Sequence, residues 1–218
     1  MKILILGISG RTGRLVAEEA LKRGHIVAGI TRDVTRTVIP GAEITGGTPY
    51  DYDTVRKAID GCDAVISTLN LFPVSQGLFK KPAQPLDVMS VAMRNTVMLM
   101  KEKGISRIVL MTAMGVGDSS RQMPWFFALL VKISSIRFVY ADHAVQEKVL
   151  EDSGMEWTIV RPVALRDDNK DLAVMHNLNG NGRITSFISR NAVAHVMLDC
   201  IEKGGVIRQK PAISAMEG

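Results

Sequence analysis

Apolar and polar positions alternate along this chain in two rhythms. Short continuous apolar runs read as buried strands, and segments with apolar residues three or four apart read as helices. The first run is Ile3 to Leu6, ending at Gly7. A helical stripe follows, Leu15, Val16, Ala17, Ala20 and Leu21, and predicts a helix from Arg11 to Arg23 that stops before Gly24. Further strands are expected at His25–Thr31, Ala42–Thr45, Ala64–Thr68, Arg107–Ala113 and Glu156–Val160. A helix capped by Asp51 or Asp53 carries Val55, Ala58 and Ile59 on one face and ends at Gly61. A long helix, Leu86–Lys103, carries Leu86, Met89, Met93, Val97 and Met100 on one stripe. Between them lies an irregular stretch, Asn70 to Pro85, with Lys80-Lys81. Asn179-Gly-Asn-Gly182 predicts a hairpin between Leu172–Leu178 and Arg183–Ser189. Asn191 starts or caps a last helix to about Glu202, and Ala212-Ile213 belong to a final strand.

Strand and helix thus alternate throughout. That order implies a mostly parallel sheet with helices on both faces, an α/β doubly wound Rossmann-like fold with a small C-terminal hairpin. A chain of 218 residues fits one such domain, 1–218.

Composition narrows the class without naming a function. Hydrophobic residues make up 46% and charged residues 22%, ordinary for a globular chain. The apolar run after Lys2 breaks at Gly7, too short for a signal-peptide core of roughly 7–15 residues. No run approaches the ~20 apolar residues of a membrane span; the longest is Trp125 to Val131. Cys62 and Cys200 have neither disulfide-framework nor metal-ligand spacing, so two reduced thiols and a cytoplasmic location are expected. The net charge of +5 is scattered, and aromatics are only 5%. Nucleic acid is therefore not expected as a partner, nor a membrane. The expectation is a small-molecule ligand and a monomer or weak homodimer, with no metal.

The chemistry concentrates at the N-terminus. Gly7, Gly10 and Gly13 follow the first strand and open the first helix. Residues without side chains let backbone N–H groups approach a phosphate, and the helix N-terminus adds partial positive charge. The usual dinucleotide spacing is G-x-G-x-x-G; here it is G-x-x-G-x-x-G. In a doubly wound sheet the ligand lies beyond the carboxyl ends of the strands. Those ends supply Ser9, Arg11 and Thr12 in the glycine turn, Thr31 and Arg32, Gly47, Thr68 to Asn70 with Leu69 between, Thr112, and Pro162-Val163. Strand two ends in Thr31-Arg32, where an NAD site usually carries an acid for the ribose hydroxyls. A guanidinium there suits the 2′-phosphate of NADP, and Arg11 is within reach of the same group. A slip of one position makes Asp33 the ribose acid and NAD the cofactor. NADP is the favoured reading.

Later motifs carry a resemblance. Met-Thr-Ala-Met-Gly-Val-Gly117, Asp142-His143, Glu147-Lys-Val-Leu150, the run from Asp152 through Trp157 to Arg161-Pro162, and Ile188 to Leu198 resemble the NmrA-like, atypical short-chain dehydrogenase/reductases. Length and motif order are similar to the flavin reductases of the biliverdin reductase B kind. The resemblance covers essentially the whole chain. It implies hydride transfer from NADPH to a flavin, as substrate rather than held cofactor, or to another flat acceptor. It also implies Thr112 and His143 as candidate catalytic residues. The chain departs from the pattern in places. The Tyr-x-x-x-Lys pair of conventional members is absent, since Tyr140 is followed four residues later by Ala144. Ala113 replaces a serine and Ala164 a histidine of the resembled pocket. Trp125, Phe126, His143 and Ala164 are the expected substrate-pocket residues. The segment holding Trp125 and Phe126 reads equally as a packed helix or a dimer contact, and His143 as a proton donor or a structural histidine. Loss of the Tyr/Lys pair also fits a second class, a non-catalytic NAD(P) sensor.

Overall fold

The computed structural model describes residues 1–70, 86–123, 125–168, 174–177 and 185–215. The chain begins β1 (Lys2–Leu6), α1 (Arg11–Lys22), β2 (Ile26–Thr31), β3 (Ala42–Gly46), α2 (Tyr52–Ala58) and β4 (Ala64–Ser67). It continues α3 (Val88–Lys103), β5 (Arg107–Met111), a 3-10 turn, α4 (Trp125–Ile133), α5 (Ile136–Glu151) and β6 (Glu156–Pro162). It closes with β7 (Ala164–Arg166), β8 (Val174–Asn177), β9 (Phe187–Ser189), α6 (Arg190–Lys203) and β10 (Ala212–Ala215). The main sheet runs β3-β2-β1-β4-β5-β6-β10-β8. All its pairings are parallel except the edge strand β8, which lies antiparallel to β10.

Strand pleating sorts β1 onto two cores. Ile3 and Ile5 pack with Val16, Ala20, Val193 and Met197 on the side of α1 and α6. Leu4 and Leu6 pack with Val55, Met93, Val97, Leu110 and Ile159 on the side of α2, α3 and α5. The chain winds outward from β1 through β2 and β3, then returns to lay β4, β5 and β6 on the other side. That reversal opens a crevice over the carboxyl ends of β1 and β4, the position where doubly wound sheets take their ligands.

Asp51 caps α2, its carboxylate accepting from Asp53 N at 3.2 Å and Thr54 Oγ1 at 2.7 Å. The cap of α6 is Ser189, accepting from Ala192 N at 3.1 Å, and not Asn191. α3 is capped from outside itself. The Asp142 carboxylate, on α5, accepts from Met89 N at 2.9 Å and Ser90 N at 3.2 Å, satisfying first-turn donors that no residue of α3 reaches. The expected C-terminal hairpin is corrected. Its turn, Asn179 to Gly182, lies outside the described residues. Its two described flanks do not pair with each other: β8 joins β10, and β9 joins β7 in a separate parallel ribbon. The stretch after Asn70, with Lys80-Lys81, also lies outside the described residues.

Candidate nucleotide-binding site

The three turn glycines have separate duties. Gly7 sits at φ +84°, and a Cβ there would lie 2.9 Å from Thr68 Oγ1. Gly10 N donates to Gly7 O at 2.9 Å and closes the turn. Gly13 is buried; a Cβ on it would stand 2.1 Å from Gly7 O, so only glycine lets α1 lie this close to the strand end. Gly10 is different. It is exposed, extended at φ −76°, and its Cβ position faces only Gly7 O, at 3.2 Å. It is also the N-cap of α1, which has no side-chain cap and no acid in its first turn. Backbone N–H groups at this helix end therefore face outward beside the exposed Ser9, an arrangement that suits a pyrophosphate. Thr12 is buried beneath them.

Thr68 joins the two strand ends: its hydroxyl donates to Leu6 O at 3.1 Å. Leu69 is half-buried and Asn70 exposed at the mouth of the crevice. Gly47 donates its N–H to Thr31 O and presses on Thr54, where a Cβ would come within 2.5 Å of Oγ1; its role is packing against α2.

At the end of β2, Thr31 is buried and lies 2.9 Å from Thr37 across the following loop. Arg32 is exposed and makes no hydrogen bond or ion pair among the described residues. Asp33 is committed elsewhere. Its Oδ1 accepts from Thr35 Oγ1 at 2.6 Å, Thr35 N at 3.0 Å and Arg36 N at 3.3 Å, and the Thr35 hydroxyl above all holds its pKa below the ordinary value. The loop thus presents Arg32 and Arg36 outward and turns Asp33 in on itself. Arg11 is held by Asp167 at 2.6 Å, and Asp167 also pairs with Arg190. Sequence reading missed Arg36, Asp167 and Arg190. Arg11 and Asp167 are 156 positions apart, and no local pattern joins them.

Beyond β5 and β6 the polar groups point inward. Thr112 is buried, and its hydroxyl donates to Glu147 Oε1 at 2.8 Å. The Glu147 carboxylate is itself gripped by Arg161. Tyr140 donates to Met114 O at 3.2 Å, and burial pushes its phenol up to about 12. Pro162 is buried and accepts from Met114 N; Val163 is half-buried, and Ala164 is exposed on β7. His143 corrects an expectation. It is 1% exposed, with Gln146 Nε2 at 3.0 Å from Nδ1, and burial lowers its pKa to about 4. At neutral pH it is an uncharged interior ring, not a proton donor in an open pocket. Trp125 and Phe126 face solvent in an edge-to-face pair. Met123, just before them, fills the space over Gly115, which seats the start of α4 beside the end of β5. No group of three metal-ligating side chains occurs among the described residues.

A reversing parallel sheet, a three-glycine turn over β1 and an open helix N-terminus define a dinucleotide-binding Rossmann protein. The chain belongs to the NAD(P)H-binding family, whose sequence profile matches residues 7–204. Among solved structures it is similar to ChuY, an anaerobilin reductase from Escherichia coli O157:H7, at TM-score 0.82 and 20% identity, covering 100% of this chain and 98% of that one. A wide-type short-chain dehydrogenase/reductase from Veillonella parvula, solved with NADP, gives TM-score 0.76 at 16% identity over 98% and 94%. A chloroplastic, uncharacterised protein of Arabidopsis thaliana is 25% identical over 93% of this chain and 66% of its own length. The chain spans between 28% and 66% of the length of four of the curated relatives it matches.

Proposed function

We propose that this chain is an NAD(P)H-dependent reductase that prefers NADPH and passes hydride to a flavin or another flat conjugated acceptor. One observation carries the choice of acceptor. Among the described residues each candidate acid near the ends of β5 and β6 is already spent: Thr112 donates to Glu147, Tyr140 donates to Met114 O, and His143 is a buried neutral ring. Reduction of a simple carbonyl needs a proton delivered to the new alkoxide. A conjugated acceptor spreads the incoming charge over its own rings and takes its proton from water, so the protein need only hold the two rings ~3–3.5 Å apart. The nicotinamide supplies the hydride when bound.

The residues divide the remaining work. The N–H groups after Gly10 receive the pyrophosphate, and Arg32, with Arg36 beside it, receives the 2′-phosphate. Thr68, Asn70 and Pro162-Val163 border the nicotinamide. Trp125, Phe126 and Ala164 form the rim on the acceptor side. The NADP in the Veillonella parvula neighbour and the reductase activity of the Escherichia coli neighbour support this reading.

The test follows absorbance at 340 nm with NADPH and NADH against FMN, riboflavin and a quinone. Turnover with one of them, faster with NADPH, is expected. Tight NADPH binding without turnover across the panel would overturn the reductase reading in favour of an NmrA-like sensor, for which the same missing acid speaks.

A further inference from the structure

α4 carries its apolar residues on the wrong side for a core helix. Trp125 is 79% exposed, Phe126 62%, Leu129 50% and Ile133 56%. At 3.6 residues per turn these four fall within an arc of about 100°. Val131 is buried on the opposite side, and Phe127, Ala128 and Leu130 are half-buried. The helix is thus docked by one face and bare on the other. Isolated exposed apolar residues are normal, but a continuous stripe is an interaction surface. From Trp125 to Ile133 it runs about 12 Å along the axis, so most of it extends past the acceptor rim. Along the sequence its flanks carry one sign of charge, beginning one residue after Asp118, which pairs with Arg161 and Lys210. From Ser119 to Ala141 there is no Asp or Glu, while Arg121, Lys132 and Arg137 are exposed.

We propose that the outer face of α4 seats this protein on an anionic lipid surface. A helix with Trp and Phe on its outward face, flanked by cations, inserts its rings at the headgroup boundary while the cations meet lipid phosphates. This needs no spanning length, and no helix among the described residues is long and apolar enough to cross a membrane. A second copy of the chain fits less well. Two-fold pairing of this face would bring Lys132 and Arg137, which lie side by side, against their own like, with no carboxylate between Ser119 and Ala141 to separate them. The face shares Trp125 and Phe126 with the acceptor rim proposed above, so the test variants are placed at Leu129 and Ile133, beyond that rim.

The test is flotation with phosphatidylcholine vesicles, with and without phosphatidylglycerol, in the absence of cofactor and acceptor. Binding to the anionic vesicles is expected to exceed binding to the neutral ones by roughly 100-fold, from three cations near the surface. Trp125 emission should shift to the blue on binding, against the constant background of buried Trp157. Leu129→Glu should weaken anionic-vesicle binding about tenfold or more. Ile133→Glu is the second variant, and an unchanged melting temperature confirms the fold of each. No flotation with anionic vesicles, or flotation that both variants leave intact, overturns the proposal. So does a dimer in light scattering that Leu129→Glu dissociates, which would give the face to a second copy.

Discussion

Arg161 and Glu147 form a buried, two-point ion pair between β6 and α5, with Nε 3.0 Å from Oε1 and Nη2 2.5 Å from Oε2. Both side chains are at most 5% exposed. The pair also reaches outward, since Arg161 Nη2 lies 2.5 Å from Asp118 Oδ1, and inward, since Thr112 donates to Glu147. Removing one partner strands the other charge in the interior, which costs about 3–5 kcal/mol. Glu147→Ala should therefore lower the melting temperature by roughly 10 °C, read by calorimetry. Thr112→Val should cost far less, because the ion pair survives. Equal losses would mean that the hydroxyl, not the charge pairing, holds this corner.

The turn glycines should separate in their effects. Gly13→Ala forces a Cβ to within 2.1 Å of a backbone oxygen and should cost about 1–3 kcal/mol. Gly10→Val meets the protein only at Gly7 O, 3.2 Å from its Cβ, and should leave a folded chain, yet its side chain would occupy the approach of a phosphate. Denaturation midpoints and nicotinamide fluorescence titrations read the two outcomes. Unchanged cofactor affinity in Gly10→Val would remove the pyrophosphate from this turn.

In the proposed reading Arg32 sets the cofactor preference. A hydrogen bond to a charged group contributes roughly 1.5–3 kcal/mol. Arg32→Ala should weaken NADPH about 10- to 150-fold and leave NADH nearly unchanged, with the difference shrinking as salt is added. Comparable losses for both cofactors would make Arg32 a support of the loop.

Asp167 competes for Arg11. The pair is 70% and 55% exposed, so its own contribution is small. Asp167→Asn removes the charge and would free Arg11, expected from the sequence to reach the cofactor's 2′-phosphate, of its rival anion. The expected result is NADPH binding tighter by roughly two- to fivefold, seen in titration calorimetry. Weaker binding would show that Asp167 positions Arg11 rather than occupying it.

His143 makes the fold acid-sensitive. An ordinary imidazole titrates at 6.5, and burial holds this one at about 4. Between those values the unfolded ring binds a proton that the folded ring refuses. Its contribution to stability is therefore complete above pH 6.5 and lost as pH falls toward 4, a total of roughly 3 kcal/mol. Urea midpoints of the native protein should fall across that window, and those of His143→Gln should fall less. The same burial predicts no limb in kcat near pH 6.5.

The strand, glycine turn and helix at the N-terminus were legible because every determinant is local: an apolar run, three glycines at fixed spacing and one amphipathic stripe. α5 was not, because its buried face carries Asp142, His143, Gln146 and Glu147, which break the apolar period that marks a helix. The hairpin was misread for a related reason. A turn sequence fixes a local reversal, whereas β8 and β9 take partners, β10 and β7, from other parts of the chain. In the site, Arg32 could be found by counting from β2, but the inward direction of Thr112, the burial of His143 and the diversion of Arg11 are tertiary facts.

β10 lies between β6 and β8, hydrogen-bonded to both. A chain leaving the ribosome releases β1, α1 and β2 before β4 to β10, so the glycine turn can assemble while the later strands are still unmade. The edge of the sheet cannot close in that way: until residues 212–215 emerge, one side of β6 lacks this partner and β8 has no place to dock. The nascent protein would then hold a formed glycine turn beside an open flank, and a nicotinamide dinucleotide bound at that turn would steady the first half before the second is finished.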